Sequence, residues 1–175
     1  ATAVLVLEAS LDGKVKTGRK GTSMYKIKVH GRAAHAGLEP EKGVNASVEI
    51  AHQVLQLSKL EDPTHGTTVV PTLMHSGTST NTVPELAEID IDARSFLTSE
   101  LERVDKAIKS LKANHPEATL EITGGLNRPP LQPTSTLELY EVAKKVAQEI
   151  GLGELGAAEV GGASDGNFAA SAGAR

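Results

Sequence analysis

Glu85-Leu-Ala-Glu-Ile-Asp-Ile-Asp-Ala-Arg94 is the stretch from which the fold can be read. Ala87, Ile89, Ile91 and Ala93 alternate with Glu88, Asp90, Asp92 and Arg94, so a strand here has one buried face and one wet face. Directly after it, Ser99-x-x-Glu102 has the form of a capping box, and Leu101, Val104, Ile108 and Leu111 recur at helical spacing. Pro116 follows that helix, and Ala118, Leu120 and Ile122 mark another strand. Working backward, Thr67 to Met74 is rich in Val and Thr but carries Pro71, which predicts an edge strand. Before it, Val44, Val48, Ala51 and Leu55, supported by Ile50 and Val54, predict a helix from about Asn45 to Leu60. From about Gly21, Tyr25, Ile27 and Val29 alternate with Lys26, Lys28 and His30, giving the first strand. The order β-α-β-β-α-β predicts an α+β, ferredoxin-like domain over 21–126, with two helices on one face of a four-stranded antiparallel sheet.

The flanks have a different texture. Ala3-Val-Leu-Val-Leu7 is a continuous apolar run, the signature of a strand buried in a parallel sheet. Such a strand would put Glu8 at its C-terminal end, the edge where open α/β sheets bind ligands; a solvated strand-end carboxylate is an equal reading. On the other side, Leu126-Asn-Arg-Pro-Pro-Leu-Gln-Pro133 reads as a linker. Ser135-x-x-Glu138 then predicts a capped helix with Leu139, Val142, Val146 and Ile150 as its stripe and Gly151 at its stop. Gly161-Gly-Ala-Ser-Asp-Gly-Asn167 precedes a helix start at Phe168, with Asp165 read as the N-cap. Segments 1–20 and 127–175 are thus expected to be two pieces of a larger, incomplete α/β domain into which 21–126 is inserted.

Composition removes several function classes. With 2% aromatic residues, no Trp and a net charge of −4, base stacking and phosphate tracking have little to work with, so nucleic acid is not an expected partner. The apolar runs are too short to span a bilayer, so a membrane is not expected either. The absence of cysteine excludes disulfides and thiolate metal sites.

Taken together, Leu5-Val-Leu-Glu-Ala9, His30-Gly-Arg-Ala-Ala-His-Ala-Gly37, Asn81-Thr-Val-Pro84 and Gly161-Gly-Ala-Ser-Asp165, in this order around a β-α-β-β-α-β plan, resemble the M20 family of zinc metallopeptidases and amidohydrolases. The glutamate carboxypeptidase-like branch is the nearest in feel. That resemblance implies a catalytic α/β domain with two zinc ions and an inserted dimerisation domain, or lid, through which two copies form a homodimer. It implies hydrolysis of an amide or peptide bond next to a carboxylate-bearing amino acid, in a small peptide or N-acyl amino acid.

Residue by residue, the resemblance makes Glu8 a ligand of one zinc, although Ala9 departs mildly from the family pattern. It makes His35 the lid histidine that enters the partner's active site and stabilises the oxyanion. From the residues alone His35 is a loop residue. Asn81 and Arg94 match substrate-binding positions of the lid; Arg94 also suits a surface ion pair with Asp90 or Asp92. Arg19 matches a position contacting the substrate's acidic end, with Lys20 beside it leaving the register open. The backbone at Gly162 and Ala163 is expected to offer N–H donors to a substrate carboxylate. The family's His-x-Asp, bridging aspartate, Glu-Glu pair and last metal histidine have no counterpart here, so this stretch alone is expected to hold no stable zinc and to be inactive. A free-standing ferredoxin-like dimerisation or regulatory module without catalysis is the alternative.

Overall fold

The computed structural model describes residues 3–174; positions 1, 2 and 175 of the two flanking segments lie outside it. The chain runs β1 (Val15–Arg19), β2 (Gly21–His30), β3 (Ala34–His35), α1 (Ala46–Leu57), β4 (Thr68–Ser76), β5 (Thr82–Val83), β6 (Leu86–Ser95), α2 (Thr98–Lys109), β7 (Thr119–Arg128), α3 (Pro133–Glu149), β8 (Ala157–Val160) and α4 (Asp165–Ser171). Strands β4-β6-β2-β7 form one antiparallel sheet in that order. This is the expected α+β fold, with β4 on an edge. Pro71 is tolerated there because an edge strand has a side with no ladder bonds to lose, and the register slips just after it.

One face of the sheet carries the core. Tyr25, Ile27, Val29, Ala87, Ile89, Ile91 and Ala93 are buried against Ile50 and Leu57 of α1 and Val104 and Ile108 of α2. The other face holds the alternate polar residues, with Lys26 bridged to Asp90 at 3.0 Å. Burying such a set of aliphatic side chains is the main stabilising term, about 1.5–3 kcal/mol for each.

Helix α1 departs from its expected orientation. Its buried residues are Ala46, Glu49, Ile50, Gln53 and Leu57, whereas Val48 and Leu55 of the predicted stripe are 55% and 61% exposed. The reason is a polar latch that periodicity cannot register. The Glu49 carboxylate accepts N–H bonds from Asn114 (2.9 Å) and His115 (2.8 Å) and one from the Gln53 amide (2.7 Å). Those bonds satisfy the turn after α2, so the carboxylate faces inward and the Val48–Leu55 side is left outside.

Other local expectations also change. Neither Ser99 nor Ser135 caps a helix: the N-caps are Leu97 and Gln132, neither capping its helix by a side-chain bond, and Pro133 starts α3 with its fixed φ. Asp165 is the first helical residue of α4; Ser164 is its N-cap, in a reciprocal box with Asn167. Ala3–Leu7 forms no strand. Leu5 and Leu7 are 77% and 96% exposed, because no strand among the described residues pairs with the run. The parallel pair is instead β1 with β8, and α3 packs on β1. The Leu139, Val142, Val146 and Ile150 side of α3 is half-buried at Leu139 and exposed at the other three. Gly151 terminates that helix at φ 78°, as expected. No helix among the described residues is long and apolar enough to cross a membrane.

Candidate functional site

Two groups of candidate residues form, at opposite ends of the four-stranded sheet. The first surrounds His35. Gly31 begins the excursion, where a Cβ would sit 2.1 Å from the Val44 carbonyl oxygen, so only glycine lets the two stretches close. Arg32 and Val44 then exchange backbone bonds, and β3 pairs with β5 so that His35 lies opposite Thr82. The Ala36 N–H donates to the Asn81 carbonyl at 2.9 Å, which brings His35 and Asn81 side by side.

Their side chains are presented in defined states. The Gly37 N–H donates to His35 Nδ1 at 3.2 Å, so a neutral ring carries its proton on Nε2. Ser79 Oγ donates to Asn81 Oδ1 at 3.0 Å. His35 Nε2 and the Asn81 NH₂ are left without partners among the described residues.

The second group lies where β1 passes into β2. Consecutive strand residues face opposite sides, and Arg19 and Lys20 follow that rule. Arg19 turns inward, 7% exposed, and its guanidinium donates to the Gly162 carbonyl at 2.9 Å and pairs with the Glu8 carboxylate. Lys20 turns the other way, 5.4 Å above the Phe96 ring. Burial, and after it the Arg94 guanidinium, lower the Lys20 ammonium from its ordinary range. Arg94 itself grips Asp92 through Nε (2.7 Å) and Nη2 (2.9 Å), and its Nη1 reaches the Gly161 carbonyl at 3.2 Å. Glu8, Arg19, Arg94 and the Gly161–Ala163 loop are therefore one neighbourhood. Lys20, which left the register of Arg19 open in the sequence, and Asp92, one of the two ion-pair partners expected for Arg94, both belong to this neighbourhood; strand alternation running on past β1 separates Arg19 from Lys20.

Asn81 and Arg94 do not meet. Along β6, Leu86 pairs with His30 and Arg94 with Thr22, eight residues apart. At about 3.4 Å per residue β6 spans roughly 27 Å from Leu86 to Arg94, so the two groups lie toward its opposite ends.

Metal binding has little support within the described residues. Zinc takes about four N, O or S donors; among the described residues Glu8 belongs to no group of three or more possible ligands, and its carboxylate is already matched by Arg19. Asp62, His65 and Glu100 bring ligand atoms within 4.8 Å of one another. Arg103 and Thr67, however, hold the Glu100 carboxylate at 2.7–2.8 Å, so its charge is already compensated. A groove of about 380 Å³ runs between residues 4–10, β1, α3 and α4.

A model of the peptidase dimerisation domain of the M20 group matches residues 17–122. The chain belongs to the M20 peptidase dimerisation domain family. Among M20 relatives, carboxypeptidase G2 of Pseudomonas sp. (strain RS-16) is 30% identical over 166 residues, covering 93% of this chain and 40% of that protein. The uncharacterized protein YqjE of Bacillus subtilis (strain 168) is 32% identical over 149 residues, covering 81% and 38%. The chain thus spans about two fifths of the length of the curated relatives it matches. Aminopeptidase PepT from Bacillus cereus ATCC 10987 has the same fold, with a TM-score of 0.73 at 24% identity, over 92% of this chain and 43% of that one.

Proposed function

We propose that the whole protein is an M20 hydrolase that cleaves an amide or peptide bond next to a carboxylate-bearing amino acid. In this reading 21–126 is the dimerisation lid, while 1–20 and 127–175 belong to the catalytic domain. The observation that carries it is the separation of the two groups by the length of β6. One chain cannot bring His35 and Arg94 to one small substrate, whereas two chains related by a two-fold axis can.

The outer surface of the sheet supports the association. Strand β4 has an unpaired edge among the described residues, and Val70, Leu73 and Met74 on it are 45%, 58% and 56% exposed. Helix α1 packs on β4, and its Val48 and Leu55 are exposed as well. An exposed edge beside an apolar helix stripe is suited to pairing with a second copy of itself.

In the assembled site, His35 Nε2–H and the Asn81 amide would donate to the oxygen on which negative charge develops. Preorganised donors of this kind stabilise the transition state without reorganising at the moment of reaction. Arg94 and the Arg19-braced Gly162–Ala163 backbone would receive the substrate carboxylate, Arg94 through the Nη1 and Nη2 hydrogens not taken by Asp92 and the Gly161 carbonyl. The two zinc ions of the family reading would supply an activated water in the whole protein. The described residues do not build a site for them, and Glu8 is the carboxylate this chain would lend.

Complementation tests the reading. Whole-protein subunits carrying Glu8→Gln and subunits carrying His35→Ala, each inactive alone, are expected to regain activity when mixed, because every mixed dimer keeps one intact site. No recovery on mixing would overturn the trans arrangement.

A further inference from the structure

The chain passes between its two halves only twice, at Lys20 and at Pro129–Pro130, and the two crossings lie side by side. Arg19 and Leu131 exchange backbone bonds of 3.0 Å in both directions. The fit is close: a Cβ on Gly21 would come within 2.7 Å of the Arg128 carbonyl oxygen and the Pro130 nitrogen. Directly beneath this neck sits Asn167, 0% exposed. Its Nδ2 donates to the Lys20 carbonyl (3.1 Å) and to the Pro129 carbonyl (2.9 Å), one hydrogen to each crossing. Its Oδ1 accepts the Ser164 N–H at 2.9 Å, which ties the clamp to the start of α4.

We propose that Asn167 is a positioning residue that clamps both crossings of the neck and thereby sets the angle of the four-stranded sheet against the β1/β8 half. The proposal follows from what each atom can do. A carboxamide is the one neutral side-chain group that offers two donors and an acceptor within a single plane. Here all three are used, on three separate stretches of chain. Removing the donors strands two carbonyls in a buried place, and they regain partners only if water enters and the neck opens. The only other side-chain hydrogen bonds between the halves among the described residues are Arg94 Nη1 to the Gly161 carbonyl and Gln132 Nε2 to the Phe96 carbonyl. Arg128 at the end of β7 also reaches α4, 3.8 Å from the Asp165 carboxylate and 4.8 Å above the Phe168 ring, so the clamp shares with Arg128 the setting of the distance from Arg94 to the Gly161–Ala163 loop. The inference deepens the lid reading above and rests on it for its functional meaning.

The test exploits a chain without cysteine. Glu102 on α2 and Lys145 on α3 are exposed, one in each half, and can be replaced by cysteines carrying spin labels. The unaltered clamp should give one narrow distance population. Asn167→Asp keeps the acceptor for Ser164 and loses both donors, and should lose that single population. Hydrogen exchange should show the Arg19, Lys20 and Leu131 amides losing protection in the same variant. Ser164→Ala, which removes the Oγ cap on Gly166 and leaves the clamp in place, should change neither reading. Should Asn167→Asp not fold, Asn167→Ala carries the same comparison without a charge against two carbonyls. A narrow population retained without the donors would overturn the proposal. So would equal broadening by Ser164→Ala, which would make Asn167 a helix cap and no more. Neither readout involves catalysis, so a failed clamp leaves the hydrolase reading intact, and an inactive whole protein leaves the clamp intact.

Discussion

His35, in the β3–β5 pair beyond the Leu86 end of β6, and Arg94, near the other end of that strand, are set apart by about the 27 Å from Leu86 to Arg94. Their losses should therefore look different in kinetics. His35→Ala in the whole protein should lower kcat by about 10²–10³ with little change in KM, the scale of one lost oxyanion donor. Steady-state rates on N-acyl amino acids and on peptides with a C-terminal carboxylate check this; an unchanged kcat would remove His35 from the chemistry.

Arg94→Lys keeps the charge and loses the fork. A hydrogen bond to a charged group contributes about 1.5–3 kcal/mol, so KM should rise by roughly 10–100-fold with kcat less affected. The comparison is Lys20→Ala, whose ammonium lies beside Arg94 but, among the described residues, makes no hydrogen bond to the Gly161–Ala163 loop; its effect should be smaller and should fade as salt is added.

Val48→Glu and Leu55→Glu place charges on the outward stripe of α1, where both residues are more than half exposed. Each variant should fold as well as the parent and migrate as a monomer in sedimentation. Unfolding together with dissociation would mean that the stripe belongs to a core after all.

Glu49 is buried, and its carboxylate holds the turn after α2. Burial alone would raise its pKa, but bonds from the Asn114 and His115 amides and the Gln53 side chain outweigh that and leave it lowered. Glu49→Gln retains one acceptor oxygen and sets an NH₂ against donors, which should cost about 2–4 kcal/mol in denaturant unfolding.

Glu100 adds a pH signature. The Arg103 hydrogen bond, opposed by burial and assisted by Thr67, holds its carboxyl down to about 2, against an ordinary value of 4.5. A depressed carboxylate contributes stability that is present above its unfolded pKa and lost as pH falls toward the folded one. Stability should therefore decline from about pH 4.5 toward pH 2, and Glu100→Gln should flatten part of that limb. His65 has the opposite sign: its bond to Asp62 raises its pKa above 6.5, so its contribution is present at low pH and fades as pH climbs through the raised value. Melting curves across that range in Glu100→Gln and His65→Ala separate the two.

Strand alternation carried most of the fold. β2 and β6 read correctly because buried Ile and charged Lys or Asp change places at every step, and no competing pattern has period two over ten residues. Helix α1 misled because Val48, Ala51 and Leu55 do form a helical stripe; hydropathy cannot say which side of a helix meets its own core and which awaits another surface. The Ser99 and Ser135 boxes failed because Leu97 and Pro133 begin their helices differently, a choice made by chain direction at the end of β6 and after the Pro129–Pro130 crossing. β1 and β8 escaped notice because Val-Lys-Thr-Gly-Arg and Ala-Ala-Glu-Val are short, weakly apolar and paired only with each other. The candidate residues were named from sequence motifs, but their division between two ends of β6 required its register.

Helix α1 keeps a carboxylate inside and valine and leucine outside. On the trans reading, that inversion makes catalysis a matter of mass action. Activity per molecule should fall on dilution, once copies separate faster than they meet, although each copy stays folded. The cell would then govern the proposed hydrolase partly through how much of it is made.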